Sequence, residues 1–326
     1  MSCIKFQQGV SSASSDEYFL FIKQQGIKYV FGQLTDEDAN YEGIMRLQER
    51  LARYDLTLTD AGNTGIYKNA SIHLGLTDRD EHIGRYNELT RALGRAGVHI
   101  GYMTWEPNQV LTSRFDIGEH TLGSTARIVD IEQLKTLSFS HGRQYTKEET
   151  WANFKYFLDK AIPVCEEADV RIALHPCDPP VPALRGIYNL IHCADDYRRA
   201  FELSNNSPFL GMKLCCGCWL EGGASFGNIL NDIAEFVADN KVLIVHFRNV
   251  SAVHPYFEET LLENGYMDMY EVMKQFVRYG YNGYLNIDHV PEFEREYGGK
   301  NAAFAYTNGY AKALLKCAES DLEKIT

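Results

Sequence analysis

Val242-Leu243-Ile244-Val245-His246 is an apolar run that ends on a histidine. The same design recurs on either side of it. Val170-Arg171-Ile172-Ala173-Leu174 runs into His175, residues 209–214 run into Cys215, and residues 283–287 run into Asp288. Short, β-branched-rich runs of this kind read as buried parallel strands. Amphipathic segments over residues 147–167, 228–240, 269–279 and 301–318 separate or follow them and read as helices. Thr146 is the expected N-cap of the first. Upstream the rhythm continues, with strands over 27–31, 56–60 and 98–103 and helices over 41–54 and 80–96. Seven strands are clear, and an eighth falls at 3–6 or at 186–190. Strands alternating with helices imply parallel pairing through crossovers. A doubly wound sheet would show a glycine-rich phosphate turn after its first strand. The turn here is Gly32-Gln33-Leu34-Thr35-Asp36, and no GxGxxG or P-loop occurs. The expected fold is therefore a (β/α)8 TIM barrel.

The rhythm lapses once. Residues 105–145 contain no clear strand and form a long connection after the third of the seven strands. Loops of that length are commonly functional, so this one is a candidate lid on the catalytic face. No boundary, repeat or low-complexity tract divides residues 1–326, which read as one domain.

Composition narrows the function. With 44 acidic against 32 basic residues the net charge is −12, which disfavours nucleic acid and anionic membrane as partners. No apolar run approaches the ~20 residues that span a bilayer, and the first residues lack an apolar signal core. The expectation is a cytoplasmic enzyme acting on a small molecule, with a homodimer as the default assembly. The eight cysteines form no zinc-ribbon spacing and read mostly as small buried apolar residues.

In a barrel, chemistry rides on the C-terminal strand ends. Four successive ends here carry His175, Cys215, His246 and Asp288, spaced by 40, 31 and 42 residues, each about one strand–helix unit. A single histidine at a strand end is more often a structural hydrogen-bonder. Four metal-competent side chains on consecutive ends reverse that expectation. Two imidazoles, a thiolate and a carboxylate suit a divalent transition metal. Cys216 adjoins Cys215, and alternation lets only one of the two face the mouth.

The residues around these ends resemble the mannonate dehydratase family, a branch of the xylose-isomerase-like barrels. The resemblance lies in His175-Pro176-Cys177-Asp178-Pro179-Pro180, Leu214-Cys215-Cys216-Gly217-Cys218, His246-Phe247-Arg248-Asn249-Val250, Asp268-Met269-Tyr270-Glu271-Val272-Met273 and Ile287-Asp288-His289. It implies a hydro-lyase that removes water from D-mannonate to give 2-keto-3-deoxy-D-gluconate. It also implies Mn²⁺, with Fe²⁺, Co²⁺ or Zn²⁺ as chemical alternatives, held by His175, Cys215, His246 and Asp288. Departures stand at Cys177, Cys216 and Cys218, where the family has Asp, Thr and Ser.

Dehydration removes the proton next to a carboxylate and expels a β-hydroxyl. His289 and Tyr306 are the expected acid–base pair. Arg248, two residues past His246, is the expected carboxylate clamp, acting in binding and catalysis. Arg114 and Trp105 of the long connection, and Asp178, are the further substrate-binding candidates. Competing readings are a metal-dependent sugar isomerase or epimerase on the same barrel and a non-catalytic sugar-binding barrel. The first would favour a Glu-Asp-His-Glu set in place of His-Cys-His-Asp.

Overall fold

The computed structural model describes residues 4–324. Eight parallel strands curl into a nearly closed barrel: β1 (Lys5–Ser11), β2 (Tyr29–Gln33), β3 (Thr57–Gly62), β4 (Ile100–Thr104), β5 (Arg171–His175), β6 (Leu210–Cys215), β7 (Val242–His246) and β8 (Tyr284–Asn286). The ladder runs β3-β2-β1-β8-β7-β6-β5-β4, so β3 and β4 are its two ends. The eighth strand is the N-terminal alternative, starting at Lys5; Cys3 lies outside the described residues. The other alternative holds only the two-residue strand Ile187–Tyr188, paired antiparallel with Ala183–Leu184. Counting β1, the long connection follows the fourth strand, not the third.

The helices end where local chemistry ends them. Thr146 caps Lys147–Ala168 in a reciprocal capping box with Glu149, satisfying two otherwise orphaned N–H groups. Asp268 caps Met269–Arg278, whose Met269, Val272, Met273, Phe276 and Val277 form one buried stripe. Asp16–Gln24, Ala194–Leu203 and Cys216–Gly222 are helices that the apolar periodicity left unmarked. One continuous apolar core extends from Ile4 to Ala318. No helix among the described residues is long and apolar enough to cross a membrane.

Residues 105–145 are more ordered than the sequence suggested. They hold the strands Arg114–Ile117 and Thr125–Asp130 and the helix Ile131–Lys135. The strands are short, and only the pairing of Thr125–Asp130 with Tyr256–Thr260 is long-range, which hides them from periodicity. Thr125–Asp130 pairs with Tyr256–Thr260, which pairs with Asn249–Val250, both beyond β7. This antiparallel sheet has Arg114–Ile117 as an edge strand.

Candidate active site

Parallel register sets the site. Thr104 pairs with His175, Cys215 with His246, and His246 with Asn286, so the ends of β4 to β8 open on one mouth. Asp288 lies two residues past the last paired residue of β8. A cavity of about 200 Å³ fills this mouth and is lined by His175, Asp178, Lys213, His246, Asp288 and His289, with Tyr67, Lys68, Tyr102, Thr104 and Val110 as walls. A wider cavity of about 440 Å³ beside Trp219 and Tyr266 contains no acid, histidine or cysteine. Convergent polar chemistry, not size, marks the first as the site.

The four strand-end residues come together. The ligand-type atoms of Cys215, His246 and Asp288 lie within 4.8 Å of one another, as do those of His175, Cys215 and Cys218. The two imidazoles have ring centroids 5.1 Å apart. Cys215 Sγ is 3.8 Å from Asp288 Oδ2, and His246 Nδ1 is 3.1 Å from Asp288 Oδ1. His175 Nδ1 lies 2.7 Å from the Pro176 carbonyl, which makes Nδ1 the protonated nitrogen and leaves Nε2 with its lone pair. Burial alone would raise the Cys215 thiol. A hydrogen bond from Cys218, the Arg248 guanidinium and the two imidazoles outweigh it and hold the group well below the ordinary thiol range. Burial likewise opposes ionisation of Asp288, but His246, His289 and Arg248 hold its carboxyl well below the usual range. Burial pushes the thiol of Cys216 the other way, well above its ordinary value.

A divalent metal fits these residues. His246 Nδ1 is buried, and its 3.1 Å approach to Asp288 Oδ1 lacks hydrogen-bond geometry, while the thiol and carboxyl beside it favour their anionic forms. Converging soft, borderline and hard donors with two formal negative charges match M²⁺.

Beneath the mouth lies a buried charge cluster. Arg248 Nη1 donates to Glu221 and Glu259 at 2.7 Å each, and Nη2 to Asp178 at 3.1 Å and to Cys215 Sγ at 3.5 Å. Its Nε is 3.2 Å from Asp288 Oδ2. Arg127 donates to the other Asp178 oxygen at 2.6 Å and to Glu259 at 3.0 Å. A Cβ on Gly217 would lie 2.3 Å from the Arg248 guanidinium, so only glycine admits it there. Glu221, desolvated and repelled by Asp178, has its carboxyl pushed well up despite both arginines. Glu259, held by His289 and Arg248 against its burial, sits at about 2.

His289 reaches the cavity. Its Nδ1 bonds Glu259 Oε1 at 2.7 Å, and its Nε2 is 3.6 Å from Asp288 Oδ1. Burial would lower its pKa, but Asp288 and Glu259 raise it to about 9.

Four of the nominated side chains, Arg248, Trp105, Arg114 and Tyr306, do not line the cavity. Arg248 has no exposed side-chain surface, and its two terminal nitrogens donate to protein carboxylates and to Cys215. It braces the site from beneath. Trp105 is buried against Phe154, Phe157 and His73, as a core residue. Arg114 projects from the exposed edge strand and packs on Tyr256. Tyr306 lies on the C-terminal helix, away from the cavity lining. It is 45% exposed and bonds Glu263, whose carboxylate pushes the phenol up to about 12. Asp178 lines the cavity, but both its oxygens serve the arginines. Cys177 is buried, with Sγ against the Trp105 carbonyl.

The sequence reading missed Lys213, Asp60, Arg127, Glu221, Glu259 and the Lys68–Glu106 pair, joined at 2.7 Å. Lys213 had a signal. It sits two residues before Cys215 in an apolar strand, on the same face. Asp60, a carboxylate inside the run 56–60, had a similar one. The rest stand on loops, a short helix and the strands of the small antiparallel sheet, whose convergence has no local pattern.

Comparisons with known proteins give the family. The family model for D-mannonate dehydratase (UxuA) matches residues 125–319. The chain belongs to the mannonate dehydratase family. Mannonate dehydratase of Thermotoga neapolitana is 30% identical over 302 residues, covering 81% of this chain and 82% of that protein. The Lactococcus lactis subsp. lactis enzyme is 28% identical over 337 residues, covering 89% and 92%. Among solved structures, mannonate dehydratase from Streptococcus suis serotype 2 superposes with a TM-score of 0.86 at 23% identity, over 98% of this chain and 96% of that one. An L-ribulose 3-epimerase shares the barrel at TM-score 0.63 and 14% identity, over 100% and 98%. The family's reaction is that of a hydro-lyase on a sugar acid.

Proposed function

We propose that the chain dehydrates an aldonate, D-mannonate first among them, to a 2-keto-3-deoxy acid with the help of one divalent metal. One observation carries this reading: His175, Cys215, His246 and Asp288 converge beside His289 at the mouth of a barrel from this family. His175, Cys215, His246 and Asp288 would hold the ion; Mn²⁺ is the proposed one, and Fe²⁺, Co²⁺ and Zn²⁺ suit the same donors. When bound, such an ion acts as a Lewis acid toward the carboxylate and hydroxyl oxygens of the substrate.

The chain's own residues do the proton work. Glu259 fixes the His289 ring through Nδ1, leaving Nε2 to exchange a proton with the substrate. A divalent cation held beside Asp288 would draw the His289 pKa down from about 9, so that Nε2 could take the proton from the carbon next to the carboxylate and return it to the departing β-hydroxyl. Water leaves, and the enol ketonises to the 2-keto acid. Arg248, ion-paired with Glu221, Glu259, Asp178 and Asp288, holds Asp288 and Cys215 in place. Residues 105–145 contribute Val110 as a wall and, through Arg127, a brace on Asp178; we assign them a lid role on that basis. The thiols of Cys165, Cys177, Cys193, Cys215, Cys216, Cys218 and Cys317 are all free, which suits a reducing cytoplasm.

The test is product analysis on purified protein supplied with Mn²⁺, against a panel of aldonates and ketoses. A 2-keto-3-deoxy acid from D-mannonate is the expected product. Isomerised sugar formed without loss of water would move the protein to the epimerase reading. No turnover with no bound metal would leave a sugar-binding barrel.

A further inference from the structure

Four lysine and arginine side chains reach the mouth or lie directly beneath it. Three are neutralised at short range: Arg127 by Asp178 and Glu259, Arg248 by Glu221, Glu259 and Asp178, and Lys68 by Glu106. The fourth is Lys213. It is 8% exposed and lines the cavity with His246 and Asp288. Among the described residues its ammonium has no hydrogen bond and no ion pair. Its neighbour is the Tyr102 ring, with Nζ 3.8 Å from the centroid. That ring is pinned from behind: Tyr102 Oη donates to Asp60 at 2.5 Å, and Asp60 also accepts from Gln7 at 2.9 Å.

We propose that Lys213 anchors the carboxylate of the sugar acid and so makes the pocket select an acid over a neutral polyol; this rests on the dehydratase reading above. A buried ammonium carries three donors and loses free energy when they stay unmet. The aromatic face covers one side and supplies no acceptor, so the open side points to an arriving anion. One unpaired cation in a cavity of this size matches one carboxylate. A phosphate would bring a second charge with no partner. The strand sets the distance. Lys213 and Cys215 share a face two residues apart, about 7 Å. One short acid can therefore touch Lys213 and reach the Cys215–His246–Asp288 cluster. Arg248, the cation that the sequence offered for this task, is walled off, and Lys213 takes its place.

The test compares D-mannonate with D-mannitol, which carries CH₂OH in place of the carboxylate. Binding is measured by calorimetry on Mn²⁺-loaded protein in a His289→Asn background, with Lys213 intact or replaced. With Lys213 present, the acid should bind at least ~10-fold more tightly than the polyol. Lys213→Met should weaken acid binding by about 10- to 100-fold while polyol binding changes less than about twofold, and Lys213→Arg should keep most of the preference. An unchanged acid-to-polyol ratio in Lys213→Met overturns the proposal. Parallel loss of metal and of both ligands also overturns it, by making Lys213 a support for the cluster. If Lys213→Met does not fold, the intact protein still decides, because equal binding of acid and polyol removes any anchor. Acid-selective binding by protein that makes no 2-keto-3-deoxy acid with His289 present would sink the dehydratase reading and leave the anchor standing.

Discussion

The two halves of the barrel end their strands on different chemistry. β1 to β4 finish on Ser11, Gln33, Gly62 and Thr104, and none of these is a strong metal donor. β5 to β7 finish on His175, Cys215 and His246, and Asp288 follows β8. The family match over residues 125–319 covers the second half. The first half supplies walls: Tyr67, Lys68 and Tyr102 face the cavity, and Asp60 pins Tyr102. Reaction type is therefore concentrated in one half and pocket shape in the other. The same fold can keep its chemistry while its substrate drifts.

The largest effects should come from the second half. His289→Asn should lose about 10²–10⁴-fold in turnover while metal content, measured by elemental analysis, stays near wild type. Metal lost in step with activity would make His289 a support for Asp288 instead. Cys215→Ser should lower both metal content and turnover, because a hydroxyl replaces a soft, readily ionised donor. Cys216→Ser, on the far side of the strand end, should do neither. Equal losses from the two would show that the turn, not the thiol, is what matters.

Next in size is the cluster under the mouth. Arg248→Met strips a buried cation from Glu221, Glu259 and Asp178 and should destabilise the fold by about 3–5 kcal/mol, by analogy with broken buried pairs. Denaturant unfolding of the metal-free protein reads this directly. A loss of affinity for the acid without a loss of stability would return Arg248 to the role of substrate clamp.

The first half has a fully buried histidine, His73, and its titration moves in the direction opposite to that of His289. His73 is buried on Trp105, with ring centroids 4.5 Å apart, and neither ring nitrogen has a hydrogen-bond partner. Desolvation, helped by Lys68, holds its pKa down to about 3. The unfolded chain, titrating near ~6.5, binds the proton more readily than the folded one. The stability contribution is thus complete above about pH 6.5 and declines as pH falls toward 3, by at most ~1.4 kcal/mol per pH unit. His73→Phe should flatten that part of the stability–pH curve. An unaltered slope would mean that acid lability lies elsewhere.

The smallest effects should come from side chains outside both halves of the cavity. Tyr306→Phe and Arg114→Ala should change stability by no more than ~0.5 kcal/mol, as exposed substitutions do, and leave turnover within a few-fold. A loss of about 100-fold in Tyr306→Phe would show that the C-terminal helix moves its phenol into the mouth during catalysis.

The alternation of apolar runs and amphipathic helices was enough to specify a barrel, because burial on both faces of a parallel strand leaves a continuous apolar signature. Strand-end position was enough to nominate His175, Cys215, His246 and Asp288, because parallel strands deliver their ends to one mouth. Lys213 was legible by the same alternation that placed Cys215, two residues on. The antiparallel sheet of residues 114–130 and 249–260 was not, since its strands are short and its two local hairpins are joined only by a pairing across more than a hundred residues. Nor was the fate of Arg248. Its type and position suit a substrate carboxylate equally well, and only the packing of Glu221 and Glu259 around it, from a helix and a strand far apart in sequence, decides that its charge is spent inside the protein. Which cation is left unpaired depends on every neighbour at once, and that is set by tertiary structure alone.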